Sequence, residues 1–264
     1  MLHHTVYKNS NSQEWVCFVH GAGGSSSIWY KQVRDFKQHF NVLLVDLRGH
    51  GKSKQPFYDK LKRYTFDHIG NDVMEVIDYL KIEKAHFVGI SLGTIIIREL
   101  SERFPNRMHS MIMGGAVMKI NFRGQLLMRM GVLLKSVIPY LLLYKLFAFV
   151  IMPRKNHRES RLLFVNEARK LYQKEFKKWF ALASEVNPLL SWFRIQEAKV
   201  PSLYVMGAED HMFLPSISKL VSKHKNTRLE IVENCGHVVN IEQPDVFNKL
   251  VIKYLNQFHL TVPV

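Results

Sequence analysis

Cysteine is nearly absent: Cys17 and Cys235 are the only two in 264 residues, far apart and in no C-x-x-C spacing, so neither a disulfide framework nor a thiolate zinc site organises the chain. Long apolar runs are missing too. Arg129, Lys135 and Lys145 interrupt the greasiest stretch and Pro139 breaks it, so no run reaches the roughly 20 residues a membrane span needs. The first eight residues carry no apolar segment after a basic start, so no secretory leader is read and a cytoplasmic protein is expected. No G-x-x-x-x-G-K-[ST] loop is present, and Gly21 to Gly24 lacks the later glycine of a dinucleotide fingerprint. His211 beside Asp210 has no partner at metal-ligand spacing, so no cofactor and no metal are expected.

What is present is ordinary for a folded domain, with 47% hydrophobic and 22% charged residues. Short buried runs at 15–20, 41–45, 84–88, 108–113, 201–206 and 228–232 read as strands, and residues 2–8 read as a first, shorter one. Between them lie helical patterns. Ser25 to Ser27 cap one reaching about residue 39, Thr65 caps another over 65–80, and further helices span 94–104, a short stretch from Pro215, and 244–258. Such alternation predicts an α/β fold, a mostly parallel sheet with helices on both faces. It stops at residues 117–190, where no strand pattern appears. The expectation is therefore a core of residues 1–116 and 191–264 with an inserted helical cap at 117–190.

Gly89-Ile90-Ser91-Leu92-Gly93 falls where a predicted strand turns into a predicted helix. A serine there is forced into a strained backbone conformation that turns its hydroxyl outward, and the flanking glycines let strand and helix pass closely. The Leu92 N–H then sits at a helix N-terminus, facing where charge develops on a substrate carbonyl. Polar residues at other strand ends are the natural partners, because reacting groups in open parallel sheets gather at the carboxyl ends. These are His20-Gly21-Ala22-Gly23-Gly24, Asp210 with Glu209 as its nearest rival, and His237 in Asn234-Cys235-Gly236-His237. Their order along the chain, Ser then Asp then His, suits nucleophile, orienting acid and base on an α/β sheet.

Together the segments H-G-A-G-G, D-L-R-G-H-G-K-S, G-I-S-L-G, G-A-E-D and C-G-H resemble the α/β-hydrolase superfamily, in the manner of a serine esterase or lipase with a helical cap. The resemblance implies Ser91 as nucleophile, His237 as general base and acid, and Asp210 as the orienting carboxylate. It also implies an oxyanion hole from the backbone N–H groups of Ala22 and Leu92, with residues 46–53 mainly a structural turn. Relatives that open epoxides or haloalkanes carry aspartate at the elbow, so Ser91 speaks against those reactions.

The cap segment holds 14 lysines and arginines against four glutamates and no aspartate, ten of the chain's net fifteen positive charges. Its first half is strongly apolar. In its second half Leu162, Val165, Ala168, Tyr172, Phe176 and Trp179 recur at helical spacing over residues 161–183, with basic residues on other faces. A solvated basic face is one reading; an apolar acyl pocket whose cap touches anionic membrane is the other. No nucleic-acid motif accompanies the charge. The expected activity is hydrolysis of carboxylic esters or thioesters with an apolar acyl part. Carbon–carbon or lactone cleavage, a cofactor-free lyase step, and a ligand receptor with little turnover remain as alternatives.

Overall fold

The computed structural model describes residues 1–54, 63–120, 125, 138–184 and 186–258. Among them seven strands form one sheet: β1 (His4–Tyr7), β2 (Trp15–Val19), β3 (Asn41–Val45), β4 (Ala85–Ile90), β5 (Met108–Gly114), β6 (Ser202–Gly207) and β7 (Thr227–Val232). Every residue of β2, β3 and β4 is buried. The two-residue pleat sends alternate side chains to opposite faces. Cys17 and Val19 join one core cluster with Phe87, Met111 and Met113, whereas Val16 and Phe18 join a second with Val88, Ile90 and Ile112. Unbroken apolar runs are thus the signature of strands covered on both sides.

The strand order is β1-β3-β2-β4-β5-β6-β7. All neighbours are parallel except β1, which runs antiparallel along the β3 edge, with His4 opposite Val45 and Tyr7 opposite Val42. After β2 the chain moves outward to β3 and then crosses back to β4 on the other side. That reversal opens a crevice beyond the carboxyl ends of β2 and β4, where side chains from different loops can converge.

Helices cover both faces: α1 (Tyr30–Phe36), α2 (Phe66–Tyr79) and α3 (Leu92–Arg103) in the first half of the chain. Ser25 caps a single 3-10 turn over Ser26–Trp29 that precedes α1, accepting a bond from the Ser27 N–H. Thr65 caps α2 by accepting from the His68 N–H at 3.2 Å, and Ile69, Val73, Val76 and Ile77 bury its apolar face.

Between β5 and β6 the described residues hold four helices and no strand: α4 (Tyr140–Ile151), α5 (Arg158–Arg169), α6 (Gln173–Ser184) and α7 (Asn187–Ile195). Residues 126–135, the first apolar run expected in this region, lie outside the described residues. The amphipathic pattern over 161–183 is two helices rather than one, broken between α5 and α6. Val165, Ala168, Phe176 and Trp179 are buried, but Leu162 and Tyr172 are 52% and 63% exposed, Tyr172 lying in the break itself. The helix α7 runs across residue 190. Most basic side chains of α5 and α6 point to solvent, and among the described residues no helix is long and apolar enough to cross a membrane. After β6 come α8 (Leu214–Val221), then β7, the single turn α9 (Val239–Glu242) and α10 (Pro244–Leu255).

Glu99 of α3 is 6% exposed against Gly70 of α2, and Arg103 donates to its Oε1 at 3.2 Å. Burial pushes its carboxyl up to about 7. The folded value lies above the ordinary 4.5, so its favourable contribution is full below that value and is lost as pH rises through about 7. The Glu99→Gln variant is therefore expected to melt higher than the unaltered protein at pH 8, with the gap shrinking towards pH 5. Equal melting temperatures across that range contradict this account.

Candidate active site

Ser91 follows β4 and begins α3 with φ +53° and ψ −120°, a region L-residues avoid. The surroundings over-determine it. Its N–H donates to the Gly114 carbonyl at 3.0 Å, and its own carbonyl accepts from the Thr94 N–H at 2.9 Å and the Thr94 hydroxyl at 2.6 Å. A Cβ at position 93 would stand 2.3 Å from the Val19 carbonyl oxygen, and one at position 89 would stand 2.8 Å from Gly93 itself. Both glycines are needed because α3 leaves the sheet directly over β2. The helix presents its first N–H, that of Leu92, to the crevice.

The loops after β6 and β7 bring the other two expected residues to the same point. His237 Nδ1–H donates to Asp210 Oδ2 at 2.8 Å, and the Ser91 hydroxyl donates to His237 Nε2 at 2.9 Å. Asp210 is fully buried, its other oxygen accepting from the Phe213 N–H at 3.2 Å, and His237 is 3% exposed beneath the Phe213 ring at 5.0 Å. One hydrogen-bonded line therefore connects carboxylate, imidazole and hydroxyl, with the imidazole tautomer fixed by the acid. The rival acid, Glu209, is directed elsewhere. Asn156 and His157 donate to its Oε2 at 2.8 Å each and Arg154 to its Oε1 at 2.5 Å, and Asn156 first among these holds its carboxyl below the usual range. Glu242, unremarked in the sequence, fixes the His237 loop by accepting from the Gly236 and Val238 N–H groups at 2.7 and 3.4 Å.

The His20 to Gly24 strip runs alongside. Among the described residues neither the Ala22 nor the Leu92 N–H has a protein acceptor, so both are available to a ligand. Two neutral histidines shape the strip. His20 donates from Nδ1 to the Gly21 carbonyl at 2.8 Å and accepts from the Leu47 N–H at 3.0 Å; His50 donates to the Arg48 carbonyl at 3.0 Å and accepts from the Gly23 N–H at 3.0 Å. The segment 46–53 is thus more than a turn. It supports the strip through His50, and its Arg48 carbonyl accepts from the Trp179 indole of α6 at 3.0 Å, with the indole edge-on to His50 at 4.9 Å. Nothing in the spacing of the sequence marks His50 or Trp179 for these roles.

Above Ser91 lies a cavity of about 220 Å³, walled by Ile95, Phe147, Phe164, Phe180 and Val238 among others. Its polar lining among the described residues is Ser91, His237, Tyr144, Ser160 and Glu167. Glu167 accepts from Ser25 at 2.8 Å and from Lys170 at 2.5 Å. No group of three or more His, Cys, Asp or Glu residues suited to a metal is found among the described residues.

A second hydroxyl–imidazole–carboxylate line provides a contrast. At the opposite end of the sheet Ser110 Oγ is 2.8 Å from His86 Nδ1, whose Nε2 is 3.2 Å from Glu14. Ser110 and His86 are fully buried and line no described cavity beside Ser91. Three residue types in a row do not make a site without strain, donors and access.

The family described as the alpha/beta hydrolase fold matches residues 14–244. The chain is 27% identical over 254 residues to 3-oxoadipate enol-lactonase 2 of Acinetobacter baylyi, covering 92% of this chain and 88% of that protein. It is 23% identical over 271 residues to an uncharacterized carboxylesterase of Bacillus subtilis, covering 96% of this chain and 83% of the relative. A hydrolase from Pseudomonas aeruginosa superposes with a TM-score of 0.82 at 21% identity, over 96% of this chain and 94% of that one.

Burial pushes His50 down to about 3 and His20 below its ordinary value of 6.5. Folded values below the unfolded one mean that this stabilisation is complete above about pH 6.5 and is lost as pH falls towards 3. His50→Gln keeps an acceptor for the Gly23 N–H without a titrating ring, so its unfolding midpoint is expected to fall less steeply with acid than that of the unaltered protein. His50→Ala leaves the strip unsupported and is expected to slow fluorophosphonate labelling of Ser91 by about ten- to a hundredfold, the usual effect of misplaced donors. Parallel acid profiles or an unchanged labelling rate would count against this role.

Proposed function

The chain belongs to the α/β-hydrolase fold family, and from that premise we propose that it is a serine hydrolase of carboxylic esters with an apolar acyl part, thioesters included. The hydrogen-bonded line from Asp210 through His237 to a strained, cavity-facing Ser91 carries the reading. A serine hydroxyl is a weak nucleophile near neutral pH until a base accepts its proton. In the proposed reaction Ser91 Oγ attacks the ester carbonyl while His237 Nε2 takes the proton. The oxyanion forms against the Ala22 and Leu92 N–H groups, whose positions require no reorganisation as charge develops. Collapse expels the alcohol, which leaves with the proton held on His237, and a water activated by the same imidazole releases the acid from Ser91. In this reading residues 117–190 are the cap insertion, and its described helices α4 to α6 close the acyl cavity over the core. The anionic-membrane contact expected from the basic cap is not part of this proposal.

The cavity supports a neutral, greasy substrate. Among its described lining residues no lysine or arginine is present and the carboxylate, Glu167, is already paired with Lys170, so the cavity offers no cation to an anionic acyl group. That weighs against importing the lactone or dienoate substrates for which some relatives are named. Cleavage of a neutral lactone uses the same groups and is a variant of the same reaction.

A series of 4-nitrophenyl esters of increasing acyl length tests the reading. Turnover is expected for apolar chains, with Ser91→Ala abolishing both turnover and fluorophosphonate labelling. Asp210→Asn should lower kcat by about 10⁴-fold by reversing the imidazole tautomer, with the fold unchanged by circular dichroism. Full activity in Ser91→Ala removes the mechanism, and an indifferent Asp210→Asn moves the acid elsewhere.

A further inference from the structure

Tyr144, the fifth residue of α4, projects from the cap onto the His20 to Gly24 strip. The approach is close. Gly23 has φ +71°, and a Cβ there would stand 2.7 Å from the Tyr144 hydroxyl and 2.9 Å from its ring. Tyr144 is 6% exposed, it lines the cavity with Ser91 and His237, and among the described residues its hydroxyl has no hydrogen-bond partner. The ring is fixed by its neighbours, Phe164 at 5.1 Å and Phe176 at 5.3 Å. The residue is buried, but its hydroxyl oxygen is not among the buried atoms that lack a partner: it opens onto the cavity, where phenylalanine would fill the same volume without presenting a donor. A phenol whose donor opens into the cavity beside Ser91 and has no protein acceptor among the described residues therefore points to a ligand as its partner. Burial raises the phenol above its ordinary range, so it stays protonated and is a donor at any working pH.

We propose that the Tyr144 hydroxyl is a further hydrogen-bond donor to the substrate oxygen that lies over Gly23, strengthening as negative charge gathers there. The inference rests on the ester-hydrolase reading above. Its chemistry is that of a side-chain donor supplementing the Ala22 and Leu92 backbone donors from the opposite wall. Because Tyr144 comes from the cap and the other two come from the core, the full set of donors exists only when the cap is seated. Trp179 and Glu175 of α6 hold that seat, through the Arg48 carbonyl and the Tyr64 hydroxyl.

The test is Tyr144→Phe, assayed on an ester that the unaltered protein turns over, with thermal unfolding measured on the same samples. The expected result is a kcat lower by about ten- to a hundredfold with KM within about twofold, and a melting temperature unchanged or raised. Incorporation of 3-fluorotyrosine at 144 keeps the donor and should restore kcat to within a few-fold of the starting protein. An unchanged kcat, a rise in KM alone, or a fall in melting temperature alongside kcat overturns the proposal, the last by making the hydroxyl structural. Ser91→Ala on the same ester separates the two readings. Activity without Ser91 ends the ester-hydrolase proposal itself, whereas dependence on Ser91 with an indifferent Tyr144→Phe ends only this one.

Discussion

A single backbone conformation governs the site: Ser91 at φ +53°, where a non-glycine residue is held at a cost of about 1–3 kcal/mol. It exists because α3 must start immediately after β4 and cross β2 at backbone contact, which Gly89 and Gly93 permit. Bonds from Gly114 on β5 and Thr94 on α3 hold it from both sides. From that conformation follow the outward hydroxyl, the forward-facing Leu92 N–H and the distance to His237. Strain of this kind is tolerated only where the surrounding core is rigid, and the fully buried strands β2 and β4 supply that rigidity.

The second constraint lies in the segment after β3. Asp46 is buried and accepts from the Ser26 N–H at 2.7 Å and the Lys52 N–H at 2.9 Å, so it fastens its own turn to the segment that follows the glycine strip. Arg48 is paired with Asp72 of α2 by two bonds of 2.7 Å. With the backbone so fixed, His50 faces Gly23 on one side and Trp179 on the other. The strip and α6 are both referred to one rigid turn. A buried ion pair contributes little net stability of its own but fixes geometry well, and geometry is what a set of donors requires.

The architecture was legible in the sequence to a useful degree, for a definite reason. A strand buried on both faces must be apolar throughout, and a covering helix must show the helical period, so both write themselves into short windows. Limits appeared where neighbours in sequence compete. Asp210 and Glu209 are equivalent by residue type, and only the position of Arg154, Asn156 and His157 on the cap side draws Glu209 away from His237. The helical spacing over 161–183 likewise conceals the break between α5 and α6, because a periodicity survives a turn that happens to preserve its phase.

The residues themselves determined a good deal: a mostly parallel sheet, a serine between strand and helix, an aspartate and a histidine in order at later strand ends, and an apolar, basic segment between the fifth and sixth strands. Those features are local or depend on order along the chain, and local chemistry fixes them. The tertiary structure decided what meets what. It set Ser110 and His86 in a fully buried line to Glu14, and Ser91 and His237 in a line to Asp210 that opens onto a cavity, a distinction invisible to residue type. It also pressed Tyr144 against Gly23 and His50 beneath the same strip, contacts across more than a hundred and across 27 residues of chain respectively. Such pairings arise from how helices close over a sheet, and no window of sequence contains both partners.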